Sequence, residues 1–240
     1  MLIKIRNYCN RIFIFLMLII PVILFTGCSK GTGYAVFQFP DTNWGMSMTD
    51  VMKAYKVSEK ETSYYDKDNT VFIPDRKLFG VKTENIEFYF INFTKGDPKL
   101  CAVRVTYPDT ADMKQVQKNM QKTYGGTVSD LSIYDLFQIF DDSLPVRKYS
   151  ETDHLKLWSG KTVSELIPAD ENTEYRDIWK KYQPGLKDDN WIPFIQDANQ
   201  ETVVWSDNGE FPALKKNALY FYGYNFVVYQ EIKNQISGQK

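Results

Sequence analysis

Ile86-Glu87-Phe88-Tyr89-Phe90-Ile91-Asn92-Phe93 and Leu100-Cys101-Ala102-Val103-Arg104-Val105-Thr106-Tyr107 decide the fold. The first run is rich in Phe, Tyr and Ile and reads as a strand buried on both faces. The second puts Cys101, Val103, Val105 and Tyr107 on one face and Arg104 and Thr106 on the other, the period of two that a strand imposes. Thr94 to Lys99 separates them and contains Gly96-Asp97-Pro98, a turn signal. Two such runs around such a turn predict an antiparallel hairpin.

A helix follows the hairpin. Met113, Val116 and Met120 share one face at i, i+3 and i+7, Asp109 or Thr110 can cap the start, and Gly125 can end it. On the other side, Thr62 to Tyr65 and Thr70 to Ile73 read as strands around Asp66-Lys67-Asp68-Asn69, and Leu78 to Val81 as a further short one. Before them, Tyr34 to Phe39 reads as a first strand. Ser47 with Asp50 opens a short helix toward Val57, whose apolar face is Met48, Val51, Met52 and Tyr55. At the far end, Glu201 to Trp205 and Asn217 to Tyr229 read as strands. Gly223 inside the second marks a bulge or a close backbone approach. Thr127 to Gln200 reads as a helical and loop insertion, with helices over Leu131–Phe140 and Tyr175–Tyr182 and a turn at Val163–Ile167. The expected fold is α+β, an antiparallel sheet with packed helices and an insertion at about 127–200 of one domain spanning 34–240.

The N-terminus reads differently. Lys4, Arg6 and Arg11 are the only charges before residue 28, and Ile12 to Phe25 is an uninterrupted apolar run. Those 14 residues fall short of the roughly 20 that span a bilayer as a helix. Behind a basic start, they fit the apolar region of a secretory signal. Leu24-Phe25-Thr26-Gly27-Cys28 resembles the lipobox of bacterial lipoproteins, with Phe25 where Leu is usual. The resemblance implies a signal peptide over 1–27, cleavage before Cys28, and a diacylglyceryl, palmitate-bearing Cys28 inserted in a lipid bilayer. Two acyl chains suffice for stable anchoring where one does not. Residues 28–33 are then the lipidated Cys and a tether. Its five residues Ser29–Gly33 reach at most about 18 Å. The expected location is extracytoplasmic, on a bacterial cell membrane or outer membrane.

Composition narrows the chemistry. The chain carries 29 basic against 30 acidic residues, which gives no electrostatic footprint for nucleic acid. Without the three N-terminal basic residues the balance is 26 against 30, so the mature domain has no charge attraction to an anionic membrane. With Cys9 in the signal and Cys28 acylated, only Cys101 remains, and no internal disulfide is expected.

Each candidate for chemistry has a plainer reading. His154, the single histidine, could be a general base, but neither an elbow motif nor a nucleophile accompanies it. Cys101 could be a nucleophile, yet it lies in phase with Val103 and Val105 and reads as a small buried hydrophobe. Asp66-Lys67-Asp68-Asn69 opens like a calcium loop, but Val71 and Lys77 stand where Gly and Glu are required. Asp141-Asp142 and Asp188-Asp189 are carboxylate pairs of unfixed separation. Ser237-Gly238-Gln239-Lys240 matches a Ser-x-x-Lys pattern only at the frayed terminus. No metal, cofactor or catalytic residue is expected.

The surplus lies in the aromatics, 16 Phe, 16 Tyr and 5 Trp. Tyr220, Tyr222 and Tyr224 fall on one face of the strand reading. Exposed, they would form a platform for glycan or a protein hot spot; buried, they pack against the insertion, as aromatics on strands usually fill sheet faces. The Trp44-Gly45-Met46-Ser47 turn with Val51, and the strands after it, resemble the helix-plus-sheet modules of outer-membrane-assembly lipoproteins and β-lactamase-inhibitor-protein-like domains over about 40–125. That resemblance implies protein binding rather than catalysis. The expectation is therefore a non-enzymatic, membrane-tethered module that binds an envelope protein or assists assembly. A ligand- or cell-wall-glycan-binding lipoprotein using the aromatic face is the alternative, and an envelope hydrolase the weaker third. The sequence leaves oligomeric state open.

Overall fold

The computed structural model describes residues 37–58, 63–65, 70–93, 96–134, 146–183, 186–209 and 214–238. Cys28, Asp66–Asn69 and Asp141-Asp142 lie outside them, as do the expected strand residues 34–36. All described residues belong to one compact unit, Ala35–Lys240. Among them, no helix is long and apolar enough to cross a membrane.

The α+β class is what the structure shows. The strands are β1 (Ser63–Tyr65), β2 (Thr70–Pro74), β3 (Lys77–Leu78), β4 (Val81–Lys82), β5 (Asn85–Ile91), β6 (Lys99–Thr106), β7 (Asp130–Tyr134), β8 (Val146–Ser150), β9 (Leu155–Ser159), β10 (Thr202–Ser206) and β11 (Ala218–Tyr222). The helices are α1 (Met48–Ala54), α2 (Met113–Tyr124), α3 (Asn172–Tyr182), α4 (Trp191–Asp197) and α5 (Tyr224–Ser237). Seven strands form one sheet in the order β1-β2-β5-β6-β11-β10-β9, and every neighbouring pair is antiparallel. The expected hairpin is β5–β6, with a register shift between Tyr89 and Phe90. Two meanders thus meet at one seam, where β11 pairs Leu219 with Val105 and Phe221 with Val103.

Register assigns the two faces. One row runs Val71, Phe88, Val103, Phe221, Val203 and Trp158 across six strands. These residues, with α1, α2, α3, α4 and α5, form the main core. Phe221 sits among the rings of Phe39, Tyr124 and Phe79, at centroid distances of 5.0, 6.0 and 6.4 Å. The opposite face carries Tyr220, Val204 and Leu157. The separate β7–β8 hairpin covers it there with Leu131, Ile133 and Tyr149, forming a second core.

Helix ends follow local chemistry. The Ser47 side chain accepts from the Asp50 N–H at 3.2 Å and its hydroxyl donates to the Asp50 carboxylate at 2.8 Å. This is the expected cap, although α1 ends at Ala54 rather than near Val57. α2 buries Met113, Val116 and Met120 and ends at Gly125 with φ +84°, as its sequence predicts. Its cap is Asp112, which accepts from Gln115 N at 2.9 Å. Asp109 and Thr110 do not cap it, because the Pro108–Ala111 turn, closed by Ala111 N to Pro108 O at 2.9 Å, precedes the helix.

Four expectations need correcting. Phe37 to Phe39 is irregular, not strand; Phe37 and Phe39 are buried in the main core all the same. Leu131–Tyr134 is strand β7, not helix, and its alternate residues Leu131 and Ile133 pack on the second core. The 127–200 segment also supplies β9, an edge of the main sheet, so it is more than a helical and loop insertion. Finally, Asn217–Tyr229 is not one strand. β11 stops at Tyr222 and α5 begins at Tyr224.

The stop has a physical cause. Gly223 N–H donates to the Cys101 carbonyl at 2.8 Å. Beyond that point the edge of β6 is occupied, since Leu100 exchanges hydrogen bonds with Gly45 and Met46 at 2.9 Å each. Further chain has no strand to pair with, so its backbone groups must bond internally, as a helix does. The Trp44 indole lies on Gly223, and a Cβ built there would come within 2.1–2.6 Å of three of its ring carbons. Close approach, one of the two roles expected of Gly223, is the one the structure uses. Gly223→Ala should therefore destabilise the fold by about 1–3 kcal/mol, the range for overpacking a filled core, read as a lower denaturant midpoint at unchanged slope.

Candidate functional site

Thr202 on β10 pairs with Tyr222 on β11, so their side chains share the second face at the edge of the β7–β8 hairpin. Asn199 and Gln200 lead into β10, and Asn225 lies in the first turn of α5. Together with Ser132, Ile133 and Tyr134 of β7 and with Tyr224, these residues line an open cleft with a cavity of about 20 Å³. That volume holds a group of about one heavy atom.

The polar groups of this cleft are oriented from behind. Gln200 Nε2 donates to the Thr162 carbonyl at 3.0 Å, and Asn225 Nδ2 donates to the Asn199 carbonyl at 2.8 Å. Carbonyl acceptors on the nitrogen side fix which end of each amide is which. Gln200 Oε1, Thr202 Oγ1 and Asn225 Oδ1 are buried and have no hydrogen-bond partner among the described residues. The main chain is also held. The Gln200 carbonyl accepts from Phe226 N–H at 3.2 Å in the first turn of α5, and Gln200 N–H donates to Lys161 O at 2.9 Å. At the rim, the Tyr134 hydroxyl donates to Asp197 Oδ2 at 3.3 Å. Burial, then the Asp197 carboxylate, push that phenol above its ordinary pKa.

The predicted tyrosines divide. Tyr220 is 0% exposed in the second core, where its hydroxyl accepts from Lys215 N–H at 2.6 Å. Burial pushes this phenol up, while the Lys215 N–H and Arg104 act in the opposite sense. Tyr222 is partly buried and lines the cleft. Tyr224 is 5% exposed, sits on α5, and donates to Tyr182 O at 3.5 Å. They are not one strand-face platform. Tyr220 and Tyr222 share a face, and Tyr224 reaches the same cleft from a helix. All five tryptophans are buried. Gln200, Thr202 and Asn225 carry no motif and were not among the predicted site residues.

The other candidates take structural places. Cys101 is buried and donates to the Tyr89 carbonyl at 3.4 Å. His154 Nδ1 lies 3.0 Å from Asp207 Oδ1 in an exposed pair near the β9 and β10 ends, so the topology does not assemble it with Cys101. Asp188 pairs with Arg176 and with Lys180 ahead of α4. Ser237 closes α5. Among the described residues, no cluster of three or more His, Cys, Asp or Glu could hold a metal ion.

A second polar group crosses the sheet in the Tyr220 row. Glu87, Arg104 and Tyr220 are register partners on β5, β6 and β11. Glu87 Oε2 accepts from Arg104 Nη2 and from the Tyr89 hydroxyl, the latter at 2.6 Å. Glu87 is 1% exposed, and the Arg104 side chain 13%. Burial alone would lower the Arg104 pKa; the hydrogen bond to Glu87, with the charges of Tyr89, Glu87 and Tyr220, reverses this and holds it above its ordinary value.

No family model matches the chain, and neither a curated protein nor a solved structure shows significant similarity to it.

Removing one member of a buried ion pair leaves an uncompensated charge, whereas replacing both is often neutral. Arg104→Met should cost about 3 kcal/mol, the low end of that range, because Lys215 Nζ at 3.9 Å still faces the Glu87 carboxylate. The double variant Glu87→Leu/Arg104→Met should recover most of the loss. Equilibrium urea unfolding of the two variants checks both values.

Proposed function

We propose that this is an extracytoplasmic bacterial lipoprotein, anchored through a diacylglyceryl Cys28, whose folded unit is a non-enzymatic binding or assembly module of the cell envelope. The observation that carries the anchor is the run from Lys4 to Cys28: a basic start, 14 apolar residues, and Leu24-Phe25-Thr26-Gly27-Cys28. A binding role is supported by the use of the reactive side chains as structure. Cys101 packs inside the sheet, and His154 is engaged by Asp207 on the surface.

The cleft at Thr202 favours a second reading, a lipoprotein that binds a small ligand. The glycan form of that reading loses its platform, since Tyr220, Tyr224 and all five tryptophans are buried.

Mass spectrometry of protein made in a bacterial host tests the anchor. The expected N-terminal fragment begins at Cys28 and carries the acyl mass. Cys28→Ser should abolish that mass, and a soluble form that begins at Ser29 should leave the detergent phase on Triton X-114 partition. A mature chain that retains residues 1–27, or begins elsewhere, overturns the lipoprotein reading. Cross-linking in native envelopes tests the module. One reproducibly enriched protein supports an adaptor, and none in either the anchored or the soluble form counts against it.

A further inference from the structure

One helix face carries a single sign of charge. Lys114, Lys118 and Lys122 recur at i, i+4 and i+8 along α2, about 6 Å apart on the helix axis. All three are exposed. They lie on the side of the helix away from Met113, Val116 and Met120, which are buried in the main core. α2 contains no Asp or Glu. The acid beside it, Asp112, is the cap that accepts from the Gln115 N–H. Among the described residues, none of the three lysines takes part in an ion pair. Other helices mix their signs, as α1 does with Asp50 and Lys53 at 3.3 Å. Like charges at i, i+4 destabilise a helix, and nothing within α2 offsets this stripe.

The chain that leads to the anchor meets the same helix. The Tyr124 hydroxyl, at the C-terminal end of α2, donates to the Gln38 carbonyl at 2.9 Å, and its ring centroid lies 5.8 Å from that of Phe37. Tyr124 is two residues from Lys122, and Phe37 is nine residues beyond Cys28. Those nine residues reach at most about 30 Å. We propose that the Lys114–Lys118–Lys122 face of α2 docks on anionic lipid headgroups and sets which side of the tethered domain meets the bilayer. The inference rests on the lipoprotein reading, because the acyl anchor is what holds α2 near a lipid surface. Net charge opposes it, with 26 basic against 30 acidic residues in the mature chain. Exposed charges, however, act over a Debye length, roughly 10 Å at 0.1 M salt. The face nearest the bilayer therefore counts for more than the sum over the domain. Each lysine at an anionic surface raises the ratio of docked to undocked protein about fivefold. With α2 on the bilayer, the β7–β8 hairpin on the opposite face of the sheet, and the cleft beside it, look away from the membrane.

The test uses the full chain, made in a bacterial host and reconstituted into vesicles of phosphatidylcholine, with or without phosphatidylglycerol. Cys101 is buried and Cys28 is acylated, so one added cysteine takes a thiol-reactive fluorophore. Gln121→Cys puts the label on the exposed side of α2, and Lys148→Cys puts it on the β7–β8 hairpin across the sheet. A lipid with a nitroxide headgroup quenches a label that lies at the surface. Flotation with both kinds of vesicle reports the anchor alone. Quenching should be stronger at Gln121→Cys than at Lys148→Cys, and only where phosphatidylglycerol is present. The excess should fade in about 1 M salt, where the Debye length is about 3 Å. Lys114→Gln/Lys118→Gln/Lys122→Gln should erase it without lowering the urea midpoint. An acylated, floating protein whose two labels are quenched equally overturns the docking and leaves the anchor standing. An excess that persists without phosphatidylglycerol, in high salt or in the triple variant does the same. A chain that lacks the acyl mass and does not float overturns the anchor reading, and the docking with it. If the triple variant does not fold, the lipid and salt comparisons still decide.

Discussion

The pairing of β6 with β11 is the constraint on which the rest depends. Without it the chain has two antiparallel ribbons, β1-β2-β5-β6 and β11-β10-β9. Each would leave a long apolar edge and half a buried face. The seam is made of residues far apart in sequence, Val103 against Phe221 and Val105 against Leu219. Such non-local pairing incurs its loop-closure cost before its contacts form. What offsets that cost is the ring cluster on Phe221, drawn from the N-terminal segment (Phe39), the β3–β4 turn (Phe79) and α2 (Tyr124). Aromatic pairs add to the area they bury when edge and face meet, and here they tie three separate segments to the seam.

What was legible in the sequence was local. The β5–β6 hairpin and α2 each show a clean period, and both formed where the pattern placed them. α5 was hidden because its first turns are buried nearly all round: Tyr224, Asn225, Phe226, Val227, Val228 and Tyr229. Such a run reads as a strand by composition. The helical spacing shows only at Val228, Ile232 and Ile236, each buried and four residues apart. Tertiary context decided the matter, since the edge β11 would have extended along was already taken by Gly45 and Met46. β7 was missed for the complementary reason. Five residues give little room for a period of two to stand out from one of 3.6.

The cleft was less legible than the fold. Its tyrosines were visible as a surplus, and two of the three predicted do line it. Its polar groups were not. Gln200 and Thr202 precede Asn225 by more than 20 residues, and only the β10–β11 hairpin and the turn at Gly223 bring them together. Nothing in spacing or composition announces such a triad. What identifies it is the combination of burial with missing partners, a property that exists only in three dimensions.

The same corner governs both the core and the cleft. Gly223 lets the Trp44 indole lie on the backbone where β11 becomes α5. One turn further, Phe226 N–H is held by the carbonyl of Gln200. Gln200 lines the cleft, and its amide nitrogen is held by Thr162 O. Any group entering the cleft thus meets side chains whose positions the sheet-to-helix junction has already set. Little ordering entropy remains to be lost on binding, which favours affinity from few contacts. It also limits signalling through this site, because a ligand can shift a conformational equilibrium only by its differential affinity for the two states. A second state of the cleft would have to move Asn225 with α5, and α5 is fixed by the Trp44 ring at Gly223 and by its own buried residues in the main core. The walls of the cleft share the rigidity of the core behind them.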